Sequence, residues 1–252
     1  RKQAHLHQCE QHRRDHQYRR QRDQQLSVNA VFNNKVAVLA GDFLLATSLV
    51  HAGKTMSHEI ITVVSCMGQD LADGELLQLS NVSNPHFSEE IYFDVIRKKT
   101  AALFAACTKS AALSVNASDE EAEFSRLFGE YIGICFQIKD DIFDYFESKE
   151  IGKPTGNDML EGKLTLPVLY ALNSTNSTWA QEIAVKVKEG IATPDEIGRL
   201  VDFTKSNGGI EYAVKMMELY KGKALDLLHS LPPSEVCTAL EAYLDYVVDR
   251  DK

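Results

Sequence analysis

Asp140, Asp141 and Asp144 are crowded into the stretch Gly133-Ile-Cys-Phe-Gln-Ile-Lys-Asp-Asp-Ile-Phe-Asp144. On a helix, Gln137, Asp140 and Asp144 share one face, and Asp141 sits beside it, four residues after Gln137. Like charges at this spacing repel by about 0.2–0.5 kcal/mol per pair, a cost that a multivalent cation reverses. Carboxylates with no His or Cys among them suit a hard ion such as Mg²⁺, which keeps several waters and bridges to phosphates. Taken alone, the cluster reads equally well as an acidic face turned to water. The residues just downstream shift the balance. Gly152-Lys153 and Gly156-Asn-Asp158 form a short polar loop, and Gly162-Lys163-Leu-Thr165-Leu-Pro167 leads into the next apolar segment. Carboxylates followed by two spaced lysines on glycine-rich turns can hold a metal-bridged polyanion, each lysine acting as a mobile point charge.

The elements that must position these residues read as helices. Ile134, Ile138 and Ile142 form a stripe that anchors the aspartate segment in a core. Ser118-Asp-Glu-Glu121 is a capping box that opens this helix. Upstream, Ser27 is placed to cap a helical segment over Val28–Val50, with Gly41-Asp42 expected to interrupt it. Ser57 or Ser65 to Leu79 forms the next helix, and Ser88-Glu-Glu opens one running through Lys99-Thr100 into the Ala-rich stretch Ala101–Ala112. Downstream, helices are expected at about Trp179–Glu189, Thr193–Ser206, Gly209–Leu231 and Pro233–Asp249. Pro194 stands at a first helical position and Asn207-Gly208-Gly209 at a break. No alternating strand and no repeat is legible. Short loops between long helices favour an all-α antiparallel helical bundle.

In this order and at this spacing the motifs resemble those of the trans-polyprenyl diphosphate synthases. Phe136-Gln137 with Asp140-Asp141-Ile-Phe-Asp144 matches that family's second aspartate-rich motif. Gly152-Lys153-Pro-Thr-Gly156-Asn-Asp158 and Lys163-Leu-Thr165-Leu-Pro167 match the two that come after it. Ala40-Gly41-Asp42-Phe43-Leu44, Gly74-Glu75-Leu-Leu-Gln78-Leu79 and Lys99-Thr100 match three upstream segments. The resemblance covers Leu26 to Lys252. It implies an isoprenoid-synthase-like bundle around a central cavity, Mg²⁺ as cofactor, and allylic diphosphate and isopentenyl diphosphate as substrates. Carried over residue by residue, it makes Asp140 the main metal ligand, with Asp141 and Asp144 helping through the ion or its waters. Lys99, Lys153 and Lys163 would contact the allylic diphosphate, with Thr100 and Gln137 near the same group. Gln78 and Phe136 would line the cavity, and Asp158 would orient the loop lysines. Arg250-Asp-Lys252 resembles the family's basic C-terminus. A homodimer is implied. Two rivals stand beside this reading: a non-catalytic helical subunit that supports an active partner, and a terpene cyclase, which the Gly152-Lys153 and Lys163-Leu-Thr165 segments fit less well.

Residues 1–25 stand apart from residues 26–252. They hold seven Lys and Arg against three Asp and Glu, a net of +4 in a chain whose total is −9. They are rich in Gln and His, carry few apolar residues, and read as disordered. A basic nucleic-acid-binding tail is another reading of this segment. His5, His7, His12 and His16 have no frame that would make them a metal site. The resemblance places a first aspartate motif and an Arg-Arg-Gly within about His12 to Gln25, where Asp15 and Asp23 stand isolated. An abrupt change at Leu26 is what an out-of-frame reading produces. An aspartate-rich motif in another frame of the coding nucleotides supports this, and its absence from both other frames refutes it. The loss would halve the metal clamp and impair turnover.

The acidic total argues against general nucleic-acid binding. No apolar run is read as approaching the ~20 residues of a membrane span, and no signal peptide is legible. Five scattered cysteines without a CxxC pair point to a reducing compartment, the cytoplasm. Cys66, Cys107 and Cys135 are expected to pack as small apolar residues.

Overall fold

The computed structural model describes residues 28–250 except 82, 83, 85 and 147–154. Among the described residues every regular element is a helix, as the sequence leads one to expect. They fall into two compact units, residues 28–57 and residues 58–250.

The first unit holds α1 (Val28–Val31) and α2 (Asn34–Lys54). Asn33 caps α2 by accepting from the Val36 backbone N–H. The break expected at Gly41-Asp42 does not occur. Nothing lies within 4 Å of where a Gly41 side chain would project, so this glycine costs only its propensity of about 1 kcal/mol. The uninterrupted helix also corrects the reading of membrane-span length. By length and composition alone α2 is apolar enough to cross a bilayer, with a mean hydropathy of 1.6.

The second unit is built on α6 (Asp119–Phe143), opened by the Ser118/Glu121 capping box. Ile134 and Ile138 are fully buried and Ile142 nearly so, which fixes the stripe opposite the acidic face. Before it come α3 (His58–Asn81), α4 (Glu89–Ile96) and α5 (Ala102–Ser114). After it come the short α7 (Asn157–Leu160), then α8 (Leu166–Ser174), α9 (Thr178–Lys188), α10 (Pro194–Ser206), α11 (Gly209–His229) and α12 (Glu235–Asp249). One core gathers α4, α6, α8, α11 and α12 around Phe93, Ile134, Ile138, Met217 and Leu244. A second gathers α8, α9 and α10 around Leu172, Val187 and Leu200.

Sequence reasoning missed one element. Between α4 and α5 the helix widens into a π turn over Arg97–Ala101. The close packing of α6 depends on Gly133, where a Cβ would sit 2.5 Å from the Ala101 Cα of the π turn, and on Gly129, where one would meet the Phe104 carbonyl of α5 at 2.6 Å. From the other side α3 approaches through Gly74, whose Cβ would lie 2.8 Å from side-chain atoms of Lys98 and Lys99.

Cysteine packing follows the helix faces only in part. Cys135 is fully buried, and its thiol donates to the Met217 carbonyl at 3.4 Å. Cys66 and Cys107, expected inside, are exposed instead, because each falls on the outward side of its helix. Burial pushes the Cys135 thiol up to about 12, so little reactive thiolate forms near neutrality. Iodoacetamide at pH 8 should alkylate Cys66 and Cys107 in the folded protein and spare Cys135. Peptide mass spectrometry checks this, and equal labelling of all three would show that α6 is not buried as described.

Candidate active site

The π turn and α6 meet in a chain of hydrogen bonds. Thr100 Oγ1 donates to Gln137 Oε1 at 2.7 Å, and Gln137 Nε2 donates to Asp141 Oδ1 at 2.8 Å. The hydroxyl of Tyr92, on α4, donates to Asp141 Oδ2 at 2.6 Å. The extra residue of the π turn is what aims Thr100 at Gln137 while its neighbour Lys99 points towards α3, the kind of local irregularity often found at functional sites. Lys99 Nζ there donates to Gln78 Oε1 and pairs with Glu75.

The three aspartates occupy three environments. Asp140 is partly exposed, and its Oδ1 accepts from Arg250 at 2.5 Å. Asp141 is buried. Burial, and next the charge of Asp158, push Asp141 well above the ordinary carboxylate range, against the Tyr92 and Gln137 hydrogen bonds that favour its ionised form. Tyr92 is raised too, by burial first and then by Asp141. Asp144 is also buried, and its two oxygens accept the backbone N–H groups of Asn157 and Asp158, each at 3.0 Å. The Gly156 N–H bonds the Asp144 carbonyl at 2.8 Å, and Gly156 makes this return turn at φ 76°, a conformation that favours glycine. Asp144 thus ties the far side of the lysine loop to the end of α6.

Lys163 follows that turn and pairs with Glu161 at 2.5 Å. Burial works to lower Lys163, but Glu161, backed by the charges of Asp158 and Glu75, outweighs it and holds the ammonium above its ordinary value. Lys99 and Lys163 each have a carboxylate partner, Glu75 for the first and Glu161 for the second. Phe136 is partly buried, with its ring 5.4 Å from that of Phe104. Lys153 lies outside the described residues. An open groove of about 370 Å³ bounded by Trp179, Arg199 and Phe203 shares none of these residues.

Sequence reasoning assigns no role to Glu75, although it lies in the matched Gly74–Leu79 segment, and does not single out Tyr92 or Glu161. Glu75 was legible as the residue three before Gln78 on the same helix face, and Tyr92 only as a buried hydroxyl in need of a partner.

The donor set is carboxylate and amide oxygen, which fits a hard divalent ion. Among the described residues no three ligating side chains lie close enough together to enclose one. Such an ion would rest on Asp140 and keep most of its water, as Mg²⁺ commonly does.

Comparison with known proteins decides the family. The Polyprenyl synthetase family profile matches residues 15–203. The chain belongs to the polyprenyl synthetase family. An octaprenyl diphosphate synthase of Haemophilus influenzae is 32% identical over 226 residues, covering 89% of this chain and 68% of that protein. Among solved structures, a geranylgeranyl pyrophosphate synthase from Bacteroides thetaiotaomicron is 73% identical, with TM-score 0.84, over 88% of this chain and 74% of that one. A polyprenyl synthase from Caulobacter crescentus, complexed with calcium and isoprenyl diphosphate, is 29% identical, with TM-score 0.83, over 90% and 70%. This polyprenyl synthetase chain therefore has the all-α isoprenoid synthase fold. Its reaction class is prenyl transfer in isoprenoid chain elongation, and its relatives give no support to a non-catalytic role. The profile match begins upstream of Leu26, at residue 15, in a segment outside the described residues.

Loss of the Asp144 tether has a defined consequence. Asp144→Ala leaves two backbone N–H groups without their carboxylate, a cost of about 1–3 kcal/mol. Hydrogen exchange at Asn157 and Asp158 should speed up while exchange in α11 stays slow. Unchanged exchange at these amides would contradict the anchoring role.

Proposed function

We propose that this site binds an allylic diphosphate between α6 and the Lys99 and Lys163 side chains, and joins isopentenyl diphosphate to it. The reaction breaks the allylic C–O bond to give an allylic cation and diphosphate. The isopentenyl double bond then attacks the cation, and a proton is lost, with the released diphosphate as the base. The difficulty is separating a carbocation from a highly charged leaving group, so charge on the diphosphate must be met as it develops. Mg²⁺, held by Asp140 with Asp141 and Asp144 behind it, would supply electrostatic stabilisation of that leaving group.

This chain's own residues do the rest. Lys99 and Lys163 exchange their carboxylate partners for diphosphate oxygens. Thr100 and Gln137 keep the π turn in register with α6, and Gln78 holds Lys99 in position. Lys153 would add a third cation from the loop, and Phe136 and Gln78 would face the prenyl chain. What supports the reading is that the aspartate helix is tied on one side through Gln137 to Thr100, next to Lys99, and on the other through Asp144 to the Asn157 and Asp158 amides that precede Lys163.

Relatives named for geranylgeranyl and for octaprenyl products both match the chain. A homodimer fits the exposed row Leu39, Phe43, Leu44 and Val50 on α2, whose apolar surface needs cover. The thiols of Cys66, Cys107, Cys135 and Cys237 are all free, in keeping with a cytoplasmic, reducing setting. The absence of a recognisable first aspartate motif between His12 and Gln25 should slow the reaction without changing its class.

The test is calorimetric titration with an unreactive allylic thiodiphosphate. Binding should require Mg²⁺ and weaken by about tenfold or more in Lys99→Ala and in Lys163→Ala, about the loss expected for a charge-assisted contact. Metal-independent binding of equal strength in wild type and both variants would overturn the reading.

A further inference from the structure

The last described residue, Arg250, is more firmly held than its position in the chain suggests. Its side chain is only 11% exposed. The Arg250 Nη2 donates to Asp140 Oδ1 at 2.5 Å and to the Phe136 carbonyl at 3.0 Å, and Nε donates to the Val247 carbonyl at 3.3 Å. The guanidinium lies 4.0 Å from the Phe136 ring centroid and 5.5 Å from that of Phe143. Leu244, Val247 and Val248 are buried and dock α12 onto the bundle. The Arg250 N–H still bonds the Tyr246 carbonyl at 3.0 Å, while ψ turns to 141° as the chain leaves the helix. A side chain with three acceptors and two ring faces is a built contact, since Arg loses little freedom per bond in such a fork.

We propose that Arg250 is a positioning residue and latch on Asp140, which competes with a divalent cation for the same carboxylate oxygen and so couples metal binding to release of the last turn of α12. The inference rests on the reading of Asp140 as the metal-binding carboxylate. A cation seated on Oδ1 would lie within a few ångströms of the guanidinium, and two positive groups at that distance repel. One must yield, or Asp140 must offer its other oxygen at the expense of the Arg250 geometry. The coupling is reciprocal: whatever loosens Arg250 strengthens the cation's hold, and the cation loosens Arg250 by the same factor. The contact carries no information about which prenyl chain is made, so its effect belongs on metal affinity.

Mn²⁺ alone, titrated into the 252-residue chain and read by electron paramagnetic resonance, tests this without turnover. Arg250→Gln should bind Mn²⁺ three- to tenfold more tightly than wild type at low ionic strength. Arg250→Lys, which keeps the charge and loses the fork, should fall between them. In wild type, Mn²⁺ should also speed hydrogen exchange of the Arg250 amide. Asp140→Asn separates the two layers of the argument. If it leaves Mn²⁺ binding intact, the metal assignment of Asp140 fails and the latch with it. If it abolishes binding while Arg250→Gln and Arg250→Lys bind no more tightly than wild type, the latch alone is overturned. Circular dichroism confirms that each variant keeps its helices, and two substitutions at Arg250 keep the test decisive should one misfold.

Discussion

Asp140→Asn should lower the rate of prenyl elongation by on the order of 100- to 1,000-fold, the loss typical of removing one charge-stabilising group, while leaving the melting temperature nearly unchanged. Asn keeps the shape of the side chain and removes only its charge. The Arg250 pair it breaks sits on a carboxylate that is 43% exposed, and exposed pairs contribute about 0–1 kcal/mol. Steady-state kinetics with a thermal melt separates the two quantities. A melt lowered by many degrees with the rate preserved would make Asp140 a structural residue.

Gly133→Val should have the opposite signature, a large loss of stability. The first atom of any side chain at this position would lie 2.5 Å from the Ala101 Cα and 3.0 Å from its Cβ. The obstacle is backbone on the π turn, so neither neighbour can step aside. Overpacking of this kind costs about 3 kcal/mol, which for a domain of this size lowers the melting temperature by roughly 6–12 °C. Relief by moving α6 outward would stretch the 2.7 Å Thr100–Gln137 bond, so activity should fall with stability. Gly41→Ala is the control: nothing lies near that glycine, and alanine should be neutral or stabilising by up to ~1 kcal/mol. Equal melting temperatures for wild type and Gly133→Val would refute the close packing of α6 on the π turn.

How much could be read from sequence depends on how local each signal is. The Ser118 capping box depends on residues three apart and forms as expected, and Pro194 opens α10 at its first helical position. The isoleucine stripe of α6 depends on helical period alone and is buried as read. The π turn was hidden because its register is set by packing between α3 and α6, which no local pattern around Lys99 encodes. Helix continuity through Gly41-Asp42 is not legible from that pair alone, because one glycine costs less than the rest of a 21-residue helix supplies. Cys66 and Cys107 were misplaced because apolar neighbours in sequence do not say which face of a helix is covered. The separate environments of the three aspartates were likewise not legible. Spacing places Asp140 and Asp144 on one face, but the partners that distinguish them, Arg250 for one and the amides of Asn157 and Asp158 for the other, come from distant or looping segments.

Magnesium-dependent elongation by this site is tested most directly by incubating the purified protein with an allylic diphosphate and radiolabelled isopentenyl diphosphate, with Mg²⁺ or with EDTA. The same assay is run on a protein whose residues 1–25 are replaced by a family sequence that carries the first aspartate motif. The expected result is slow elongation by the chain as it stands, at least tenfold faster elongation by the replaced form, and no product from either in EDTA. Product that forms equally well in EDTA, or no product from either protein until a different subunit is added, would contradict it.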